Sequence, residues 1–324
     1  MLVLLTGAFG NIGESTLTSL LEKEYSVRCF DIKTERNQKK QGSLFRVGEF
    51  ETVWGDIRIF DKVRSAAKDV DCIIHLAGII PPLSEEKPDL ARSVNVDGTR
   101  NIVQAAEERR PKLIFASSVS LYGPTMHLDP PRKATDPINP TDIYTHTKAK
   151  CEEIIRSSTL PWTILRFAAA PPIGTEADTS LLFDIPLEQR IEFVHTRDVG
   201  LACANAVASD TLGMTLLIGG GQDSQMYQRE FLQRMLDTMG LDMLPESAFK
   251  QPKTKDDWFY TDWLDTEESQ KLLQYQKHSY MDYLQEFKKA IGFKRHLARI
   301  FKGRAMNTML AASKYYIPRD SSIE

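Results

Sequence analysis

Apolar runs of strand length alternate with stretches of helical periodicity along the first half of the chain. Leu2-Val3-Leu4-Leu5 is a short continuous apolar run, which suits a strand buried on both faces. A glycine-rich turn follows, and a helical pattern runs from about Ile12 to Lys23. Val27 to Phe30 reads as a second strand ending at Asp31, and residues 32–48 read as a polar loop. Further strands are expected near Thr52–Trp54, Cys72–Leu76, Leu113–Ala116 and Trp162–Leu165, with helices near 58–68, 88–109 and 142–157 between them. This alternation predicts an α/β fold: a doubly wound parallel sheet joined by right-handed crossovers.

After Arg166 the pattern breaks. Pro171-Pro172, Gly174 and Pro186 mark an irregular excursion. Phe193-Val194 and a helix from Asp198, its expected N-cap, return to the first unit. Leu216 to Ile218 reads as a strand running into Gly219-Gly220-Gly221, and helices are expected over 228–240 and 265–291. These breaks divide the chain into a first domain of 1–166 and 191–212, a smaller C-terminal substrate domain of 167–190 and 213–292, and a tail of 293–324. The tail carries seven Lys/Arg against Asp320 and Glu324. Its Phe293, Leu297, Ile300 and Phe301 recur at helical spacing, so it reads as a basic amphipathic helix. Such a helix packs on its own protein or a sister subunit; the alternative is a weak contact with an anionic membrane surface.

Composition narrows the partners. With 324 residues the chain buries a sizeable core, and 42% hydrophobic with 26% charged residues is ordinary for a globular protein. A net charge of −3 and a pI of about 6.1 argue against nucleic acid as the partner. Cys29, Cys72, Cys151 and Cys203 lie far apart, so no metal site or redox pair is expected, and reduced thiols suit a cytoplasmic protein. Met1 to Thr6 is only strand length, which does not suit a secretory signal, and no stretch of about 18 apolar residues suggests a membrane span.

The chemistry begins in the first turn. Gly7, Gly10 and Gly13 stand directly after an apolar strand and open a helix. The first glycine allows the tight turn, the second lets backbone approach a pyrophosphate, and the third lets helix and sheet pack closely. Asn11, Ile12 and Gly13 then present helix N-terminal N–H groups to the phosphates. This is the pattern of a Rossmann-type dinucleotide-binding unit. Asp31, at the end of the second strand, is placed to accept hydrogen bonds from ribose hydroxyls and to repel a 2′-phosphate, which favours NAD over NADP, although Lys33 and Arg36 stand nearby. Tyr144 and Lys148 fall at i and i+4 of one helix, behind Ser118. An ammonium beside a phenol favours the phenolate, and the pair then serves as a general acid/base for a substrate hydroxyl. His195 reads as structural, because no second ligand stands at metal spacing.

Together these residues resemble the extended short-chain dehydrogenase/reductase family, the group that includes UDP-galactose 4-epimerase. The resemblance covers about residues 1–292 and rests on Thr6-Gly7-x-x-Gly10-x-x-Gly13, Gly55-Asp56-Ile57, His75-Leu76-Ala77-Gly78 and Asn95-Val96-Asp97-Gly98-Thr99. It continues in Ser117-Ser118, Leu121-Tyr122-Gly123, Tyr144-x-x-x-Lys148, Phe193 to Val199, and Leu264-Asp265-Thr266 through Leu272-Leu273. The resemblance implies that Asp56 and Ile57 flank the adenine, that Leu76, Ala77 and Gly78 line the cofactor, and that Asn95 sits beneath it. Ser118 matches the serine that holds the reacting oxygen, and Ser117 and Ser120 read as strand-end polar residues. Lys148 is implied to hold the nicotinamide ribose. Helices near 88–109 and 142–157 correspond to those that build a homodimer.

Three departures bear on the substrate. Ala169 stands where relatives that use nucleotide sugars carry an asparagine. The span between Arg166 and His195 is short for a segment that clamps a nucleotide diphosphate, although Arg190 remains to meet a phosphate. Val119 follows Ser118 where dehydratases place an acid, which argues against dehydration. The expected function is that of an NAD-dependent oxidoreductase or epimerase moving a hydride to or from a sugar-like alcohol or ketone. The alternatives are a dinucleotide-sensing binding protein without turnover and a reductase of non-sugar ketones.

Overall fold

The computed structural model describes residues 1–174 and 180–317. Its strands are β1 (Leu2–Thr6), β2 (Ser26–Asp31), β3 (Glu51–Trp54), β4 (Cys72–His75), β5 (Lys112–Ser118), β6 (Trp162–Phe167), β7 (Arg190–Glu192), β8 (Met214–Ile218) and β9 (Gln225–Tyr227). Seven of them form one parallel sheet in the order β3-β2-β1-β4-β5-β6-β8, and β7 pairs antiparallel with β9. The order reverses between β1 and β4. At such a switch point neighbouring crossovers leave on opposite faces and open a crevice at the carboxyl ends of the strands.

The helices of the first unit are α1 (Asn11–Glu22), α2 (Glu35–Leu44), α3 (Phe60–Ala66), α4 (Leu83–Glu86), α5 (Pro88–Ala91), α6 (Gly98–Ala106) and α7 (Ile143–Arg156). Then follow α8 (Ser180–Asp184), α9 (Thr196–Ala208), α10 (Gln228–Met239), α11 (Glu267–Leu273), α12 (Tyr280–Ile291), α13 (Lys294–Ile300) and α14 (Lys302–Leu310). Alternate residues of the central strands feed two cores. Val3, Leu5, Cys29 and Ile74 pack with Leu17 and Leu20 of α1 and Cys203 of α9. Leu4, Phe30, Ile73 and Phe115 pack with Ile102 of α6 and Ile155 of α7. Continuous apolar runs suit strands covered on both faces, as the sequence pattern indicates. Two smaller cores, around Phe249 and around Phe193 and Tyr280, fill the C-terminal part.

The structure departs from the sequence reading at several places. Residues 35–44, expected as loop, form α2, capped by the Thr34 hydroxyl on Asn37 N at 3.1 Å. Only Leu44 of that helix is buried, so it shows no apolar stripe to read. The expected helix over 88–109 is interrupted by a π-helical turn at Arg92–Asp97. Residues 214–218, expected with the second unit, are the last strand of the large sheet. The expected helix over 265–291 is broken at Gln274, whose φ of +48° ends α11. Asp198 does not cap α9. The His195 ring does, accepting from Arg197 N at 3.1 Å, while the Asp198 carboxylate accepts from Lys277 N and His278 N at 2.9 Å each. The tail carries α13 and α14, and its Arg319, Asp320 and Glu324 lie outside the described residues.

Candidate active site

β1, β4 and β5 end side by side, and their last residues build the site. Gly7 leaves β1 with φ +68°, a left-handed conformation that glycine adopts without strain. A Cβ on it would lie 2.8 Å from Ala77 N, so the turns after β1 and β4 are in contact. A Cβ on Gly13 would overlap the Gly7 carbonyl, which is why α1 starts close beneath the turn. Among the described residues no side chain caps α1. The N–H groups of the partly positive first turn at Asn11, Ile12 and Gly13 are therefore free of a side-chain cap, which suits an anion. Asn11 also reaches across the crevice to Ala170 O at 3.0 Å.

Asp31 ends β2 next to this turn. Its carboxylate accepts from Phe9 N at 2.9 Å, Ile32 N at 2.8 Å and Asn37 Nδ2 at 3.2 Å. Burial lifts its pKa above the usual value, partly offset by the backbone N–H groups and by the charge of Lys40. Lys33 is exposed. Asp56 is engaged by Arg58, whose Nε lies 3.0 Å from both carboxylate oxygens and holds its pKa low. Ile57 is buried beneath Gly98.

The segment after β4 is held by two buried side chains. Asn95 accepts from Ile79 N at 2.7 Å and donates to Ile79 O and to Thr147 Oγ1, both at 3.0 Å. It thus ties the backbone at Ile79 to α7. His75 lies between Thr6 Oγ1 at 2.8 Å and Thr99 Oγ1 at 3.1 Å. Thr6 accepts from Ala77 N and Thr99 donates to Asn95 O, so the ring carries its proton on Nε2. Burial, and then the charge of Lys148, push the His75 pKa down to about 3 and keep it neutral.

Ser118, Tyr144 and Lys148 converge where β5 meets α7. Asp142 caps α7 by accepting from Thr145 N at 2.7 Å. Glu85 of α4 accepts from Ile143 N at 3.1 Å and Tyr144 N at 3.0 Å. Tyr144 and Lys148 share the inner face of the helix. The Ser118 hydroxyl stands beside the Tyr144 phenol and donates to Ser120 Oγ at 3.0 Å. Lys148 Nζ donates to Ala116 O at 2.6 Å and lies 5.9 Å from the centre of the Tyr144 ring. Burial pushes the phenol up to about 12, and the neighbouring Ser118 hydroxyl works against that shift. Burial also lowers the Lys148 pKa. Ser117 points the other way, to Glu152 of α7, and takes a structural role.

Sequence reasoning missed Glu85, Glu152 and Tyr260, and gave His75 no role of its own. Glu152 lies one turn beyond Lys148, but nothing local marks it as the partner of Arg166, with Nε···Oε1 at 2.9 Å and Nη2···Oε2 at 2.8 Å. Tyr260, from the C-terminal part, stands near the Asp142 cap, and burial and then the Asp142 charge raise its pKa. A cleft of about 380 Å³ opens there, between Asn139 and Thr141 on one side and Trp258, Phe259 and Tyr260 on the other. Arg190 does not face an open site. Its Nε and Nη2 hold Asp262 at 2.6 and 3.1 Å, and Nη2 also donates to Leu128 O at 2.9 Å. Ala169 is exposed and offers no side-chain polar group.

Known proteins resemble this chain in part of its sequence and in its fold. The model of the 3-beta hydroxysteroid dehydrogenase/isomerase family matches residues 4–160. The chain is 32% identical over 162 residues to a 3-beta-hydroxysteroid dehydrogenase of Mycolicibacterium neoaurum, covering 47% of this chain and 42% of that protein. It is 32% identical over 187 residues to UDP-glucose 4-epimerase 2 of Arabidopsis thaliana, covering 53% and 52%. The chain thus spans about half the length of these two curated relatives. Its fold is similar to that of a dTDP-glucose 4,6-dehydratase of Streptomyces venezuelae solved with NAD, with TM-score 0.76, 23% identity, and 92% of this chain and 98% of that one covered.

Proposed function

We propose that the chain is a member of the extended short-chain dehydrogenase/reductase family and acts as an NAD-dependent oxidoreductase or epimerase on a sugar-like alcohol or ketone. The observation that carries this reading is the meeting of Ser118, Tyr144 and Lys148 at the carboxyl edge of β5, beside the crevice between β1 and β4. A protein that only senses a dinucleotide has no use for all three.

The crevice fits NAD. The uncapped start of α1 suits the pyrophosphate, with Gly7, Gly10, Asn11, Ile12 and Gly13 around it. The Asp31 carboxylate suits the adenosine ribose, Asp56 and Ile57 the adenine, and Leu76, Ala77, Gly78 and Asn95 the floor. Bound there, the nicotinamide supplies the group that takes or gives the hydride. Lys148 orients the ribose and keeps a positive charge beside the phenol. Ser118 holds the substrate oxygen. Tyr144 gives its proton to that oxygen when a ketone is reduced and takes it back when an alcohol is oxidised. A phenol pushed up to about 12 starts as the proton donor.

We assign 1–166 and 191–212 to cofactor binding, together with β8, and the rest of 167–190 and 213–292 to the substrate. The proposed partners are a small-molecule substrate and a second copy of the chain, joined through α6 and α7. Four unpaired, buried cysteines support a reducing compartment such as the cytoplasm. The test is turnover: purified protein with NAD and a panel of nucleotide sugars, free sugars and small alcohols, followed by nicotinamide absorbance and, for epimerisation, by product analysis.

A second reading has specific support. Arg190 is already bound to Asp262, and Ala169 offers nothing to a nucleotide. Both favour a non-nucleotide alcohol or ketone, a class that includes the hydroxysteroids named in the matching family model. Turnover of hydrophobic alcohols but not of nucleotide sugars would select it.

A further inference from the structure

The tail folds against the protein in an unexpected orientation. Ala298, Ala305, Met306 and Met309 pack on the core around Leu232, Leu236 and Phe249, and Leu310 is buried there. The larger apolar residues expected to form the packing stripe point outward instead. Phe293 is 72% exposed, Ile300 71%, Phe301 59% and Leu297 44%. One exposed apolar residue needs no explanation, but four within one short segment do.

The charges of the same segment are one-sided. Residues 293–317 hold six Lys/Arg and no acid, in a chain whose net charge is −3. Lys302 and Lys314 are paired with Asp242 and Asp184. Lys294, Arg299 and Arg304 are exposed and have no ion-pair partner among the described residues. Cations interleaved with exposed Phe, Leu and Ile fit one kind of surface. The apolar side chains enter the boundary between headgroups and acyl chains, and the cations meet anionic headgroups. A nucleic acid would engage the cations but leave Leu297 and Ile300 unused. No helix among the described residues is long and apolar enough to cross a membrane, so α13 and α14 would lie along the surface.

We propose that the outer face of α13 and the start of α14 dock on an anionic phospholipid bilayer. The tail runs on to Tyr315, which donates to Asp184 at 2.6 Å and lines the cleft beside α7. Docking surface and cleft wall therefore belong to one continuous segment.

The test is co-sedimentation of the full chain with phosphatidylcholine vesicles, with and without phosphatidylserine. Binding is expected only with phosphatidylserine and should weaken as salt is raised. Replacing Lys294, Arg299 and Arg304 together by Gln should weaken it roughly 100-fold, at about fivefold per cation. Replacing Phe293, Ile300 and Phe301 together by Ser should also abolish most binding. All six side chains are exposed, so both variants should keep the wild-type circular dichroism and melting temperature. No wild-type binding, equal binding to both vesicle types, or unchanged binding of either variant would overturn the proposal. Self-association that the Ser variant abolishes, without any vesicle binding, would assign the face to a second copy instead.

Discussion

The Ser117 hydroxyl donates to Oε1 of Glu152 at 2.6 Å, across the join between β5 and α7. That bond fixes the strand carrying Ser118 against the helix carrying Tyr144 and Lys148. Arg166 of β6 grips the same carboxylate with two nitrogens, and its Nη1 donates to Tyr122 OH at 2.8 Å. The alignment of the candidate active site thus rests on a buried ion pair outside it.

Glu152→Gln should therefore destabilise the fold. Glu152 and Arg166 are 3% and 4% exposed, and the substitution leaves a buried guanidinium without its counter-charge. Breaking such a pair costs about 3–5 kcal/mol, to be read by urea unfolding. Burial raises the Glu152 pKa, but the Arg166 hydrogen bonds and charge outweigh it, and the net shift is downward. A depressed carboxylate pKa stabilises the fold above the unfolded-state value and loses that contribution as pH falls through the folded one. The wild type should lose stability on that acid limb, and the variant should lose less. A variant as stable as the wild type at neutral pH would refute this account of the alignment.

Tyr144→Phe removes the proton-carrying oxygen and little else. Turnover should fall roughly 10²–10⁴-fold, with NAD affinity almost unchanged. Ser118→Ala should lower turnover with a small effect on NAD, while Lys148→Met should impair both. Near-normal turnover of the Phe variant would show that another group handles the proton.

The pH profile should carry the sign of the phenol. With its pKa pushed up to about 12 by burial, Tyr144 is protonated near neutrality. Alcohol oxidation, which needs the phenolate, should accelerate through the alkaline range. In Lys148→Met that rise should move to still higher pH, because the ammonium no longer favours the phenolate. An unshifted profile would separate Lys148 from the proton transfer.

Cofactor choice should follow Asp31. Its carboxylate already accepts from Phe9 N and Ile32 N, which holds it at the end of β2. A 2′-phosphate there would meet like charge, so calorimetry should find NAD(H) bound more tightly than NADP(H). Equal affinities would assign the phosphate to Lys33 or Arg36.

The proposed dimer should appear by light scattering at micromolar concentration, through a symmetric face on α6 and α7. The groove there holds exposed Arg100, His146 and Lys150. A monomer at that concentration would contradict it.

Local chemistry made much of this protein legible in the sequence. An unbroken apolar run such as Leu2–Leu5 belongs in a parallel sheet covered on both faces, and glycines at 7, 10 and 13 have meaning only in a tight turn from strand to helix. Tyr144 and Lys148 share a helix face because of their spacing alone. What depends on distant segments was not legible. The polar α2 lacks a stripe, β8 joins its sheet only through pairing with β6, and Glu152 finds Arg166 only once helix and strand are packed. Periodicity located an amphipathic helix at Phe293–Phe301, but not which side would face the core. That was decided in the tertiary structure, where Ala298 and Met306 fit the space left by α10 and the larger Phe293, Ile300 and Phe301 remained in solvent.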